Sequence, residues 1–201
     1  MTKVQELKRI GIFTFLGAIG FGIGAIGFGA IRVQGWSLEL LSSGSVPSIL
    51  GLPTMGALGG ATLGLALRSW RKVLLLALLG TIGASAGLIF GISIMFAFYG
   101  LPTLGTVIVF GVMPGVSIGV SLGLTFLDLK KIVGLGLAGA LGFGIGMLIM
   151  YSSPFHPWTG WGIPGNLKPW LGWVLWGVIG GACLGATLGY LEKKKVASEG
   201  D

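Results

Sequence analysis

The feature that most constrains this chain is a series of six apolar runs, each about as long as a membrane is thick. A helix needs about 20 apolar residues to cross a hydrocarbon core about 30 Å thick. A transmembrane barrel would alternate apolar and polar residues along its strands, whereas these runs are apolar on all sides. The sequence therefore predicts an all-α integral membrane protein with six spanning helices, at 10–31, 49–67, 73–98, 104–127, 132–150 and 170–191.

The composition excludes the other classes of chain. Charged residues make up 9% and apolar residues 53% of the sequence, whereas about a quarter of a soluble domain is charged. The apolar content is too high for a disordered chain, and the glycines lack the three-residue period of collagen. We therefore expect residues 1–201 to form a single membrane domain.

The basic N-terminus and the first apolar run are similar to a secretory signal peptide. A cleaved signal has an apolar stretch of about 7–15 residues followed by a small-residue cleavage site. The run at 10–31 is longer and ends at Arg32 without such a site. We expect it to be retained as the first helix.

The basic residues predict the orientation of the helices. If the six helices alternate in direction, eleven of the 13 Lys and Arg residues fall on one side of the membrane, and only Arg32 and Lys168 fall on the other. Short cytoplasmic loops carry such an excess, so both termini are predicted to be cytoplasmic, in a plasma or inner membrane. Orientation and anionic headgroups explain the net charge of +7, and no nucleic-acid partner is expected.

The odd-numbered helices share a repeat. A basic pair precedes each of them, and eight residues after the pair begins the pattern G-x-x-G-x-x-x-G. The first and third copies are nearly identical, GAIGFGIG and GALGFGIG. Three copies in the same register indicate an internal duplication. They begin at Gly17, Gly80 and Gly139.

The even-numbered helices carry glycine at every fourth residue. Aligning Gly60, Gly115 and Gly181 divides the chain into three two-helix hairpins, at approximately 8–67, 71–127 and 130–191. Each hairpin enters and leaves on the same side, and such parallel repeats are related by an axis along the membrane normal. We predict a pseudo-threefold bundle of three hairpins.

The glycines are predicted to form the helix contacts. Lipid provides no hydrophobic force between helices, so association depends on close backbone approach, which small residues permit. Glycines at i and i+4 lie on one helix face. The predicted packing residues are Gly20, Gly24, Gly60, Gly64, Gly83, Gly87, Gly115, Gly119, Gly142, Gly146, Gly181 and Gly185.

The residue types argue against catalysis. No Asp, Glu, Lys, Arg or His lies in the middle of a predicted helix, and hydrolysis would need a nucleophile with a base or metal ligands. Two G-x-G-x-x-G strings lie inside spanning runs, where they cannot follow a strand as dinucleotide sites do. The sequence predicts no enzyme, no cofactor and no metal site.

Small polar residues suggest a path for a solute. The alignment places Thr62, Ser117 and Cys183 at one equivalent position, where they would form a narrow neutral ring if the even helices line the axis. Alternatively, such side chains sit at tight helix crossings and bond to their own helix. Both interpretations stay open.

Prolines mark two further places. Pro114 interrupts the fourth helix and should kink it, because it removes a backbone donor. Pro47 and Pro53 flank the start of the second helix and predict irregular backbone at its outer end.

Tryptophans gather in the two longer external segments. They either form an aromatic belt at the membrane interface or a lid over an outward-facing pocket. The lid candidates are Trp36, Trp158, Trp161 and Trp170.

Two functions follow from these features. The first is passive passage or external binding of a small neutral or apolar solute, without ion coupling through carboxylates. The second is a non-catalytic subunit that packs into a larger membrane complex, or into a homo-oligomer, through its glycine faces. The lipid bilayer is the predicted partner in both cases.

Overall fold

A computed structural model describes residues 3–33, 45–97, 111–152 and 168–198. Within these ranges the chain forms six helices, so the prediction of an all-helical protein is confirmed there. The helices are α1 (Lys3–Val33), α2 (Ser45–Ala66), α3 (Trp70–Ala97), α4 (Met113–Leu124), α5 (Leu129–Ser152) and α6 (Lys168–Ser198).

Four of the helices are long and apolar enough to cross a membrane. The qualifying stretches are Val4–Ile26, Trp70–Gly91, Leu129–Met150 and Leu171–Glu192, each 22 or 23 residues long. Helix α2 has 22 residues, and α4 is a shorter apolar helix of 12 residues. These lengths and compositions are consistent with a membrane-embedded protein.

The helix ends differ from the predicted ones. Helix α1 begins at Lys3 rather than residue 10, and α6 continues to Ser198 rather than 191. The apolar runs mark only the part that suits hydrocarbon, whereas backbone hydrogen bonding continues through the polar residues beside it. The prediction of irregular backbone near Pro53 is wrong, because α2 is helical from Ser45 and contains this proline.

The helices are arranged in a closed ring. Each helix packs against the next one in the chain, and α6 packs extensively against α1. The first and last helices therefore complete the ring, and α1 has neighbours on two sides like every other helix.

Two tight turns join helices at one end of the ring. Arg68 (φ 52°) and Leu127 (φ 49°) both adopt the left-handed conformation, just after α2 and α4. The backbone N–H of Arg68 donates to Leu65 O, and that of Leu127 donates to Leu124 O. One end of the ring thus contains these two turns, the start of α1 and the end of α6. We call it the basic end.

Glycines make close backbone contacts between neighbouring helices. A Cβ added to Gly80 of α3 would overlap the carbonyl oxygen of Gly56 of α2, and a Cβ on Gly56 would overlap that of Gly80. The same reciprocal contact occurs twice more around the ring, so backbone meets backbone at three helix boundaries. The other two pairs are Gly115 with Gly139 and Gly17 with Gly181.

Large apolar side chains cover the outside. Phe15, Ile89 and Leu141 are each more than 60% exposed, although they lie within apolar helices. A soluble protein would bury such residues, whereas a surface that meets lipid tails has no reason to be polar.

Candidate functional site

The predicted path residues lie at crossings between helices that are consecutive in the chain. Thr62 of α2 contacts Gly20 of α1, and its hydroxyl donates to Gly59 O at 2.9 Å. Cys183 of α6 lies against Gly142 of α5.

Ser117 belongs to the third crossing. Its carbonyl oxygen lies 2.6 Å from the place that a Cβ on Gly83 would take. The three residues thus occupy separate crossings, α1–α2, α3–α4 and α5–α6. This placement agrees with small residues at tight contacts, and a shared ring stays a prediction.

Each of the twelve predicted packing glycines faces another helix. A Cβ on any of them would come closer than about 3.3 Å to an atom of the neighbouring helix. By contrast, Gly11 has nothing within 4 Å of such a Cβ. The glycines in the repeats therefore differ from a glycine outside them.

Two phenylalanine rings fill the middle of the bundle. Phe21 of α1 and Phe143 of α5 are fully buried and meet edge to face, with ring centroids 5.5 Å apart. Phe21 lies over Gly59 of α2 and Phe143 lies over Gly180 of α6, where a Cβ would overlap either ring. Aromatic side chains from two helices that are not neighbours in the ring therefore meet in the core at this depth.

Trp176 extends this aromatic group. Its ring lies 5.2 Å from that of Phe143, and its indole N–H donates to Phe143 O at 3.0 Å. Trp173 packs against Trp176 at 5.4 Å. The indole N–H is thus satisfied inside an apolar core, as a buried tryptophan requires.

Pro114 lies where α4 begins. Gly111 and Val112 form a π-helical turn, and the α-helix follows from Met113. The proline is buried, and its Cα lies 2.5 Å from the place that a Cβ on Gly87 of α3 would take. The part of the predicted fourth helix before Gly111 lies outside the described residues.

The predicted aromatic lid also lies mostly outside the described residues. Trp36, Trp158 and Trp161 fall in the ranges 34–44 and 153–167, and Trp170 is described only as part of the α6 backbone. The choice between a lid and an interfacial belt therefore stays open.

A buried ion pair lies at the basic end. Lys131 of α5 donates from Nζ to Oε1 of Glu192 of α6, and these are the buried charged residues in the described part of the chain. Arg9 Nη2 lies 3.7 Å from the other carboxylate oxygen. One carboxylate thus joins the starts of α1 and α5 to the end of α6.

Phe126 lies beside this ion pair. The Lys131 ammonium lies 4.4 Å from the centroid of its ring and that of Lys72 lies 5.7 Å away. Cations at these distances are attracted to the face of the ring. The ring thereby links the α4–α5 turn to the start of α3.

A cavity of about 530 Å³ opens at the same end. Four cationic side chains from three segments line it: Lys8 and Arg9 of α1, Arg68 of the α2–α3 turn and Lys72 of α3. Glu192 also lines it, beside the apolar residues Ile12 and Phe13 of α1.

Sequence reasoning missed this group of residues. It used the basic residues to orient the helices and to align the repeats, and did not single out Glu192 or Phe126. A signal is present, because Glu192 is the only acidic residue of the C-terminal helix and directly precedes Lys193.

Comparison of the chain with protein-family models, with curated proteins and with solved structures gives no match.

Proposed function

We propose that this protein passes or binds a small neutral solute within a membrane, as three hairpins around a pseudo-threefold axis. The observation that carries the proposal is the closed ring of helices, whose hairpin boundaries have the same contacts three times. A ring of repeats has a central axis, and the predicted spanning runs around this one contain no Asp, Glu, Lys, Arg or His.

The glycine contacts support the threefold arrangement. Gly80, Gly139 and Gly17 begin the three copies of the odd-helix pattern, and each meets a glycine of the preceding even helix. One turn further along each even helix, a Cβ added to the next glycine would overlap a carbonyl oxygen of the neighbouring odd helix. The three pairs are Gly60 with Leu76, Gly119 with Leu135, and Gly185 with Phe13. The same order of partners at all three boundaries is what a repeat predicts.

These contacts favour a different register for α2. They make Gly56, rather than Gly60, the counterpart of Gly115 and Gly181. In this register Thr62 aligns with Ser121 and Thr187. Leu58 then occupies the position equivalent to Ser117 and Cys183. The proposed neutral ring of Thr62, Ser117 and Cys183 loses support accordingly.

The central aromatic pair is a better candidate for control of passage. Phe21 and Phe143 occupy the fifth position of the first and third copies, and Ala84 occupies it in the second. In the proposed threefold arrangement, two large side chains and one small one would surround the axis at one depth. We propose that passage requires these two rings to move, and that Pro114 only shapes the start of α4.

The orientation belongs to the same proposal. The two described basic turns, the start of α1 and the end of α6 lie at the basic end, so most of the described Lys and Arg residues are at one end of the ring. The positive-inside rule makes this the cytoplasmic side of a plasma or inner membrane.

One alternative has an observation of its own. Aromatic rings fill the middle of the bundle, which suits a non-catalytic subunit that only packs within a larger membrane complex. However, the motif glycines are used within the chain, so assembly would have to use the large apolar side chains outside. This leaves passage of a solute as the better supported proposal.

Uptake of glycerol and urea into proteoliposomes tests the proposal. Phe143→Ala should raise the rate of uptake, because it removes one of the two central rings. Phe15→Ala is the matched control, since Phe15 is 63% exposed on the outside. Two results together would contradict passage: vesicles with folded wild-type protein take up solute no faster than empty vesicles, and Phe143→Ala does not raise the uptake rate.

Purification in mild detergent addresses the alternative. A protein that packs into a complex should bring membrane partners with it in fixed proportion, as measured by mass spectrometry. A chain that runs alone and carries no such partners contradicts the assembly function.

A further inference from the structure

The cavity at the basic end has a strong excess of positive charge. Four cations line it, and its carboxylate, Glu192, already pairs with Lys131, which approaches from α5, and lies close to Arg9. The Glu192 charge is therefore neutralised locally, and Lys8, Arg68 and Lys72 add further positive charge around one space. A cleft lined by one sign of charge focuses its field on a ligand of the opposite sign.

Membrane orientation alone does not explain this arrangement. The positive-inside rule requires basic residues at one end, but it does not require them to converge. The two basic pairs in the first turns of α3 and α5 divide instead: Arg71 and Lys130 are exposed, whereas Lys72 and Lys131 turn towards Phe126. The second residue of each pair therefore packs against Phe126, whereas the first points to the outside.

We propose that this cavity binds a phosphate group carried by a small organic molecule. Arginine and lysine are the residues that proteins use for phosphate, the first through paired N–H donors and the second as a point charge. The cavity contains both, from three separate segments.

The size and the walls of the cavity indicate what carries the phosphate. A volume of about 530 Å³ is within the range of small-molecule sites and is larger than a bare phosphate needs. Ile12, Phe13 and Leu67 provide apolar wall beside the cations. A phosphate ester fits this combination, either as the headgroup of an anionic lipid or as a soluble molecule. The inference does not depend on passage of a solute through the bundle.

Binding measurements on the full chain test the site, with one probe for each source. The soluble probe is glycerol 3-phosphate, titrated by calorimetry into protein in neutral detergent. The lipid probe is phosphatidylglycerol in phosphatidylcholine nanodiscs, with bound lipid counted by native mass spectrometry. Binding of the first probe indicates a soluble ester, binding of the second indicates a headgroup, and binding of neither overturns the proposal.

Matched variants separate a built site from general surface charge. Lys72→Gln, Arg68→Gln and Lys8→Gln each remove one charge from the cavity, and Arg71→Gln and Lys130→Gln remove one charge from the same end outside it. Loss of a charged hydrogen bond should weaken binding about tenfold or more in the first group and less than about twofold in the second. An equal loss in both groups would show a diffuse basic surface and overturn the site.

Folding controls keep this comparison decisive. Each variant is checked for its thermal unfolding midpoint and for a single peak in size exclusion before binding is measured. Lys8 is exposed near the start of α1, so its variant keeps the test available if a change at Lys72 disturbs the contact with Phe126.

Discussion

Gly17 of α1 and Gly181 of α6 pack backbone against backbone, so that a Cβ on either residue would overlap the carbonyl oxygen of the other. This contact closes the ring of helices. Because no side chain separates the two helices here, the obstructing atoms are backbone atoms that cannot rotate away. Close approach of this kind allows the van der Waals packing that contributes to helix association in lipid.

Substitution of Gly181 by alanine should destabilise the protein by about 1–3 kcal/mol, because overpacking forces two backbones apart. Gly11→Ala is the control, since a Cβ there has nothing within 4 Å. Thermal unfolding in one detergent measures both variants. An equal response at the two positions would mean that the backbone contact does not matter for stability.

The ion pair at the basic end should be sensitive to loss of one partner. Glu192→Gln leaves the ammonium of Lys131 without its carboxylate, although this lysine side chain is only 8% exposed. Breaking a buried pair in this way costs about 3–5 kcal/mol. Denaturant unfolding measures the loss, and Lys130→Gln at the neighbouring exposed position should change little.

A double replacement distinguishes a lost pair from a lost shape. Lys131→Met combined with Glu192→Leu removes both charges and keeps apolar volume, so it should recover most of the stability lost in Glu192→Gln. If the double variant is as unstable as the single one, the effect is not one of an uncompensated charge.

The left-handed residue after α4 offers a stabilising change. Leu127 has φ 49° and is 91% exposed, so its side chain contributes little packing while it strains the backbone. Leu127→Gly should stabilise the protein by up to about 1 kcal/mol, because glycine adopts this conformation without a Cβ penalty. Leu129→Gly, in the first turn of α5, should instead lower the unfolding temperature.

The close fit of Phe143 over Gly180 predicts compensation between two substitutions. Gly180→Ala alone should lower stability, because its Cβ overlaps the ring of Phe143. Adding Phe143→Leu gives the new methyl group space. The double variant should therefore lose less stability than the sum of the losses in the two single variants. Additive losses in thermal unfolding would mean that the two residues are not coupled.

The sequence predicts the helical class well because the signals are local. Runs near 20 apolar residues indicate spanning helices, and the turn at Arg68 falls between two of them. The first predicted helix is too short, because α1 starts at Lys3 and helical hydrogen bonding is not limited to apolar residues. Which glycines contact each other depends on how neighbouring helices are shifted along one another, and the local pattern does not contain this information. The pattern therefore aligned Gly60 with Gly115 and Gly181, whereas the contacts favour Gly56 in that position.

The basic end was less predictable for a different reason. Arg9, Lys131 and Glu192 are far apart in the chain, and only closure of α6 on α1 and α5 brings them together. A pattern search sees basic pairs and a lone carboxylate, each with an ordinary explanation. The cavity is a property of the ring rather than of any one segment.

Closure of the ring by α1 and α6 has a consequence for synthesis. The partner of Gly17 is Gly181, which leaves the ribosome long after Gly17 does. At about 5–20 residues per second, the interval between these two residues is on the order of ten to thirty seconds. During that time the glycine face of α1 has no native neighbour on one side. The nascent protein therefore waits as an open arc, and insertion of the final helix is the event that completes the tertiary structure.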